Sequence, residues 1–182
     1  DEHHDFPGTL SVSARSLRAM VLSTLAQLEQ WKVGKVVVLN AHGGNGPTLR
    51  TLARELAASG GIEMRILRMP DPPGLGEREK KFGIHAGHFE TALMRFLYPE
   101  LVEFDQADCC WMDDEEGVSL LRPENFWATF GWKTSDFSAS GTLGDATRAK
   151  VEEGERWFGH CVESLTEQVR AIQEEDHLAK QK

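Results

Sequence analysis

Lys35-Val36-Val37-Val38-Leu39-Asn40-Ala41-His42-Gly43-Gly44-Asn45-Gly46 is the stretch of this chain that decides the fold. The branched apolar run at residues 36–39 predicts a strand buried on both faces between two layers of helices. The glycines after it allow a sharp turn and a close approach of the backbone to a ligand. Open α/β sheets bind ligands at the carboxyl ends of their strands, and His42 follows such an end. Its imidazole is therefore a candidate metal ligand or base.

Helical patterns flank this strand on both sides. Apolar residues recur at helical spacing over residues 14–30, after a serine N-cap that is either Ser11 or Ser13. A second helix is predicted over residues 46–58 and a second strand over residues 62–69. The order helix–strand–helix–strand is typical of an α/β fold with a parallel sheet covered by helices.

The remaining chain predicts one loop, two helices and an irregular region between them. Residues 70–81 are rich in proline, glycine and charge, which favours a loop at the rim of an active site. Helical spacing returns over residues 87–98. Residues 103–144 are predicted to form loops and short strands. A final helix is predicted from residue 146 to the mid-170s, with Asp145 as its N-cap.

Length and composition limit the classes of function. The 182 residues suit one domain over residues 1–182. A net charge of −9 without a basic stripe argues against nucleic acid and anionic membranes as partners. No apolar run approaches the roughly 20 residues that span a bilayer. The three cysteines form neither a disulfide framework nor a metal motif, which favours a cytoplasmic location.

Two short segments, residues 42–45 and residues 85–91, could carry chemistry. The second contains His85, His88 and Glu90 at the start of a helix, and imidazole with carboxylate is a usual ligand set for zinc and similar metals. A metal-activated water could then attack an amide carbonyl. Structural roles compete with this interpretation, since His42 could cap its turn, His88 could pack, and Glu90 could be a helix-start charge.

Other hydrolase and nucleotide-binding patterns fit less well. The chain has no Gly-x-Ser-x-Gly elbow of an α/β-hydrolase and no His-Glu-x-x-His of a zinc peptidase. The glycine-rich turn at residues 43–48 lacks the lysine of a phosphate-binding P-loop.

Four motifs follow one another along the chain: Glu2-His3-x-x-Phe6-Pro7-Gly8-Thr9, Asn40-Ala41-His42-Gly43-Gly44-Asn45, His85-Ala86-Gly87-x-x-Glu90-Thr91, and Gly141-x-x-Gly144-Asp145 followed by Ala149. With these motifs the chain resembles the creatininase (creatinine amidohydrolase) family. The resemblance implies a three-layer α/β/α sandwich with a mostly parallel sheet, often assembled as a homo-hexamer. It also implies a two-metal site, with zinc expected and manganese or iron possible, that hydrolyses a small cyclic amide or formamide C–N bond.

The resemblance also assigns roles to individual residues. His42 and Glu90 are expected to bind metal, and His85 is expected to act in catalysis by proton transfer or substrate binding. We expect Asn45, His3 and Trp132 to contact the small-molecule substrate. Creatininase proper has a glutamate where this chain has Gly44, which argues against creatinine itself as the substrate.

One part of the family pattern is missing. The family carries an earlier Glu-x-His, a His-Leu-Pro and an aspartate that supply further metal ligands, and residues 1–182 contain no such motif. We therefore expect an N-terminally incomplete domain of a metal-dependent amidohydrolase. Two alternatives remain: a degenerate, non-catalytic subunit for binding or assembly, and an enzyme that recruits His3, His4 or Asp5 as substitute ligands.

Overall fold

The computed structural model describes residues 2–112 and 131–179, with side chains up to residue 175. The chain divides into two compact units, Asp1–Met69 and Pro70–Lys182. The expectation of one domain over residues 1–182 stays a prediction. Among the described residues, no helix combines the length and the apolar character needed to cross a membrane.

The first unit has the predicted alternation of helices and strands. Its elements in chain order are α1 (Ala14–Gln30), β1 (Lys35–Asn40), a 3₁₀ turn (Gly43–Asn45), α2 (Gly46–Ser59) and β2 (Glu63–Arg68). The two strands pair in parallel, with Lys35 opposite Glu63 at one end and Asn40 opposite Arg68 at the other. The predicted parallel pair is confirmed.

Local signals set the ends of the two helices. The hydroxyl of Ser13 accepts a hydrogen bond from the backbone N–H of Ser16 at 3.1 Å, which caps α1 and decides between the two candidate serines. Gly60 ends α2 in the left-handed conformation at a φ of 69°, where a residue without Cβ is favoured.

The core of the first unit lies on one face of the strand pair. Val36 and Val38 pack against a cluster that is formed by both helices, β2 and the residue before it: Leu25, Leu49, Leu52, Ile62 and Met64. Val37 and Leu39 point to the other face and are 36% and 53% exposed. The prediction that the run at residues 36–39 is buried on both faces is therefore wrong within this unit, because α1 and α2 contribute to the same cluster.

The second unit is built on helices. It contains α3 (Glu77–Phe82), α4 (His88–Leu97), the short antiparallel strands β3 (Cys109–Cys110) and β4 (Gly144–Asp145), and α5 (Val151–Ala179). Its core consists of the buried residues Leu75, Ala92, Ala149 and Trp157. The indole N–H of Trp157 donates to the carbonyl of Pro73 at 2.9 Å, so the largest core side chain is also satisfied as a donor.

Two sequence predictions in this unit are wrong. The supposed loop at residues 70–81 contains α3, whose acidic first turn and basic last turn complement the helix dipole. Asp145 does not cap the long helix: it precedes a 3₁₀ turn, the chain is extended at Ala149, and α5 begins at Val151. The irregular character expected for residues 103–144 is confirmed at residues 103–112 and 131–144, and residues 113–130 lie outside the described part.

Candidate metal centre

The turn after β1 holds His42 at the carboxyl end of the strand. The backbone N–H of His42 donates to the side-chain oxygen of Asn40 at 3.4 Å, and its carbonyl accepts from the N–H of Asn45 at 3.2 Å. The imidazole itself makes no cap for the 3₁₀ turn and is 45% exposed. Its ring nitrogens are thus available to groups other than the turn.

Two side chains of the first loop meet this imidazole. Oε1 of Glu2 lies 2.9 Å from Nε2 of His42 and 3.8 Å from Nε2 of His3. The rings of His3 and His42 have centroids 5.9 Å apart. Each of the three residues offers one ligand atom, and these atoms all lie within 4.8 Å of one another. We call Glu2, His3 and His42 the ligand group.

Gly44 provides the space in which this group forms. A Cβ atom at position 44 would overlap Oε1 of Glu2 and would lie 2.8 Å from Nε2 of His42. The carboxylate therefore occupies the volume that a side chain at position 44 would take.

The electrostatics keep the Glu2 carboxyl group ionised. Burial raises its pKa, but the hydrogen bond from its own backbone N–H and the charge of His42 act in the opposite direction, and the pKa is lowered overall. Glu2 is consequently a negatively charged oxygen donor at neutral pH.

One carboxylate and two imidazoles that converge on a point fit a divalent cation such as zinc, manganese or iron. The sequence predicted His42 as a ligand and His3 as a substrate contact, and it missed Glu2. The sequence feature that could have indicated Glu2 is Gly44. A residue without a side chain next to a candidate ligand leaves space for another ligand. Of the suggested substitute ligands, His3 belongs to the group, whereas His4 and Asp5 pair with each other at 2.9 Å.

The predicted residues of the second unit form a different arrangement. The Glu90 carboxylate accepts a hydrogen bond from the backbone N–H of Ala86 at 2.6 Å, and its Oε2 lies 3.9 Å from Nδ1 of His85. Two backbone hydrogen bonds between His85 and Leu143, at 3.1 Å and 2.8 Å, hold the backbone of His85 in place. Glu90 thus binds the backbone just before α4 and faces His85, and its role as a metal ligand stays a prediction.

His88, which follows in the same segment, has the structural role that the sequence favoured. It is 8% exposed, its Nε2 lies 2.8 Å from Oε2 of Glu153, and its ring meets the edge of Trp157 with centroids 5.0 Å apart. These contacts tie α4 to α5.

A buried carboxylate that the sequence did not single out, Glu79, supports the same segment. It accepts hydrogen bonds from the backbone N–H groups of His88 and Asp145. Gly83, Gly87 and Gly144 surround it, and a Cβ at any of the three would crowd its Oε1. We call these three residues the glycine collar. The acidic first turn of α3 could have indicated a helix here, but not the contacts of Glu79.

Asn45 and Trp132 are the last two predicted substrate contacts, and both are half-buried. Asn45 is half-buried at the start of α2 and its side chain makes no capping hydrogen bond. Trp132 is half-buried and packs against the edge of Phe137, with ring centroids 5.9 Å apart. Their roles toward a substrate stay predictions.

Comparison with known proteins gives a consistent result. The family model named Creatininase and described as creatinine amidohydrolase matches residues 1–169. The chain is 29% identical over 168 residues to the mycofactocin precursor peptide peptidase of Mycobacterium ulcerans, covering 92% of this chain and 60% of that protein. It is 26% identical over 180 residues to the creatinine amidohydrolase of Pseudomonas putida, covering 91% and 66%. The chain thus spans about three fifths of the length of the curated relatives it matches.

Solved structures show the same relationship. A creatininase structure described with Mn has a TM-score of 0.65 at 25% identity and covers 92% of this chain and 67% of its own. A creatinine amidohydrolase (creatininase) structure has a TM-score of 0.63 at 26% identity and covers 90% and 66%. The α/β fold expected from the sequence is confirmed. With the motifs in order, the shared fold and a family match over most of its length, the chain belongs to the creatininase family.

Proposed function

We propose that this chain provides the metal-binding part of a hydrolase that cleaves a C–N bond in a small cyclic amide or formamide. The observation that carries the proposal is the ligand group, a carboxylate and two imidazoles gathered at the carboxyl end of β1. Relatives named for amide and peptide hydrolysis support the reaction class.

Within the ligand group, each residue has a distinct task. His42, held by its turn, provides a fixed nitrogen donor, and His3 provides a second. Glu2 adds negative charge, which favours a divalent cation over a neutral ligand. A bound divalent cation would polarise the amide carbonyl and lower the pKa of a coordinated water. Zinc is the metal we propose, and structures described as Zn–Zn and Mn types are among the neighbours.

His85 and Glu90 have the arrangement expected of a proton-transfer pair. A carboxylate that faces one ring nitrogen can orient the imidazole for exchange of a proton with a substrate. We propose this role for His85, with Glu90 as its support or as a ligand of a second metal.

A second candidate is the hydrolysis of a peptide bond. Relatives at 27–29% identity are named mycofactocin precursor peptide peptidases, and the same chemistry cleaves cyclic amides and peptides. We also propose, from the family resemblance, a homo-oligomer in the cytoplasm.

The test combines metal content with a substrate panel. The purified chain is dialysed against zinc, its metal is measured by elemental analysis, and release of amine is followed for cyclic amides, formamides and short peptides. We expect bound zinc and turnover of a small amide or formamide, both lost in His42→Ala. Turnover of peptides alone would favour the second candidate. Bound zinc without turnover of any substrate, or no bound zinc, would contradict the hydrolase and favour a non-catalytic subunit.

A further inference from the structure

We propose that Glu2 is a metal ligand of this chain and that Gly44 is the residue that admits it. This inference deepens the proposed function and rests on it, since it concerns the same ligand group. Its new content is that positions 2 and 44 are alternative sources of one carboxylate oxygen, and that this chain uses position 2.

The first step in the argument is the position of the carboxylate. Oε1 of Glu2 is 2.9 Å from Nε2 of His42, so a cation held by this imidazole would lie within reach of that oxygen. The Glu2 side chain is 20% exposed, which means that the loop holds it against the turn instead of releasing it to solvent. The position is therefore defined by the fold of the first unit.

The second step is the space at position 44. Oε1 of Glu2 lies where a Cβ on Gly44 would be, and that Cβ would also crowd Nε2 of His42. Even a methyl group would have to displace the carboxylate. By contrast, a Cβ on the neighbouring Gly43 would meet no atom of the described residues within 4 Å. The restriction is thus specific to position 44 and is not a general demand of the turn for glycine.

The third step follows from these two. A side chain at position 44 starts from the location that the Glu2 oxygen now occupies, next to the same imidazole nitrogen. Position 44 could thus deliver a carboxylate to the cation, provided that Glu2 no longer fills the space. Side chains from positions 2 and 44 cannot fill this space at the same time, but a carboxylate from either position could bind the cation.

The experiment measures zinc affinity, not turnover, by competition with a chromophoric chelator. The variants are Glu2→Gln, Glu2→Ala, Gly44→Ala and the double variant Glu2→Ala/Gly44→Ala, with Gly43→Ala as the matched control. Far-ultraviolet circular dichroism of each variant verifies that the unit is folded. We expect Glu2→Gln and Gly44→Ala each to weaken zinc binding by about 10–100-fold, the range for loss of a group that supports a metal, and Gly43→Ala to bind as the wild type does.

The double variant tests the mechanism. If Gly44→Ala acts by displacing Glu2, and not by its approach to Nε2 of His42, then it adds little to Glu2→Ala, and the two effects are strongly non-additive. Zinc affinity should also recover at least in part in Glu2→Ala/Gly44→Glu, where the carboxylate comes from position 44.

Failure of this inference is distinguishable from failure of the proposed function. If the wild type binds zinc and His42→Ala does not, while Glu2→Gln and Gly44→Ala bind as the wild type does, then Glu2 is not a ligand although the metal site exists. Additive losses in the double variant would likewise overturn the link between the two positions. If the wild type binds no zinc, the proposed function and this inference are both wrong, and the contact of Glu2 with His42 is an ion pair alone.

Discussion

Glu79 accepts a hydrogen bond from the backbone N–H of His88 at 2.6 Å, and this contact fixes the start of α4. The other carboxylate oxygen accepts from the N–H of Asp145 at 3.0 Å, so one side chain holds two segments that are distant in sequence. Glu79 is 5% exposed, and its bonds replace the water that these N–H groups would otherwise need.

Replacing Glu79 by glutamine should therefore destabilise the second unit. The amide keeps the size of the side chain but has one oxygen, so one buried N–H group loses its acceptor and faces an NH₂ group instead. We expect the free energy of unfolding to fall by about 1–3 kcal/mol, measured by urea denaturation. Glu77→Gln is the control, because that side chain is 89% exposed and pairs with Lys80 on the surface. Equal midpoints for the two variants would refute the role of Glu79.

The contact between α4 and α5 depends on a residue without a side chain. A Cβ on Gly154 would overlap the backbone carbonyl of Ala92 and would lie 3.0 Å from Cβ of Phe96. We expect Gly154→Ala to lower the free energy of unfolding by about 1–3 kcal/mol, because α5 must move away from α4. Gly159 lies in the same helix, and a Cβ there would meet no atom within 4 Å in the described part of the chain, so Gly159→Ala should instead raise it by about 0.5–1 kcal/mol. A shift of the same sign in both variants would contradict this packing.

The end of α2 should be sensitive to substitution in the same specific way. Gly60 has a φ of 69°, in the left-handed region that alanine adopts only at a cost of about 1–2 kcal/mol. Gly60→Ala is expected to lower the thermal midpoint, followed by circular dichroism. Gly61→Ala should change it little, since among the described residues a Cβ there would meet the Ser59 hydroxyl alone, at an ordinary contact distance of 3.5 Å. Comparable losses at both positions would mean that the loop, not the cap, is the sensitive feature.

The burial of Cys161 leads to a prediction about the pH at which its thiol can be alkylated. This side chain is 1% exposed, and burial raises the pKa of its thiol. A raised pKa leaves less thiolate at any given pH, so alkylation by iodoacetamide should need a more alkaline solution than for an ordinary cysteine. We expect Cys161 to stay unmodified at pH 8 in the folded chain and to react after addition of urea, as read by mass spectrometry. Fast labelling of the folded chain at pH 8 would contradict the buried position.

Metal addition should stabilise the first unit. A cation that binds the folded chain alone at about 100 times its dissociation constant adds about 2.7 kcal/mol to the free energy of unfolding. We expect zinc to raise the thermal midpoint of the wild type and of His4→Ala, and a chelator to reverse the rise. His42→Ala should show no rise, because it removes the central imidazole of the ligand group. A rise that survives in His42→Ala would mean that zinc binds elsewhere.

Features with local causes could be predicted from the sequence. The limits of α1 follow from a serine cap and helical spacing, and the predicted residues 14–30 agree with the observed helix. The parallel strand pair follows from two apolar runs that alternate with helices. In each case the residues that determine the element lie inside it or next to it.

Features with distant causes could not be predicted. The start of α5 is delayed because the N–H of Ala146 bonds to the carbonyl of Asp108, a partner that no helical pattern reveals. The exposure of Leu39 depends on whether helices cover one face of the strand pair or both faces. The apolar run at residues 36–39 does not distinguish these two arrangements. Glu2 and His42 are 40 positions apart, so only the folded chain shows that their side chains meet.

The glycine collar also restricts the order in which substitutions can accumulate in this part of the chain. While the carboxylate of Glu79 fills the space among Gly83, Gly87 and Gly144, a larger residue at any of them meets that side chain at once. A shorter residue at position 79 removes this obstacle at Gly87, whereas a Cβ on Gly83 would still lie 2.7 Å from the backbone oxygen of residue 79, and one on Gly144 would lie 2.8 Å from Cα of Gly87. Once a side chain at position 87 has entered the vacated space, a return to glutamate at position 79 would require a second, simultaneous reversion to glycine. Descendants of this sequence can therefore lose Glu79 far more readily than they can regain it.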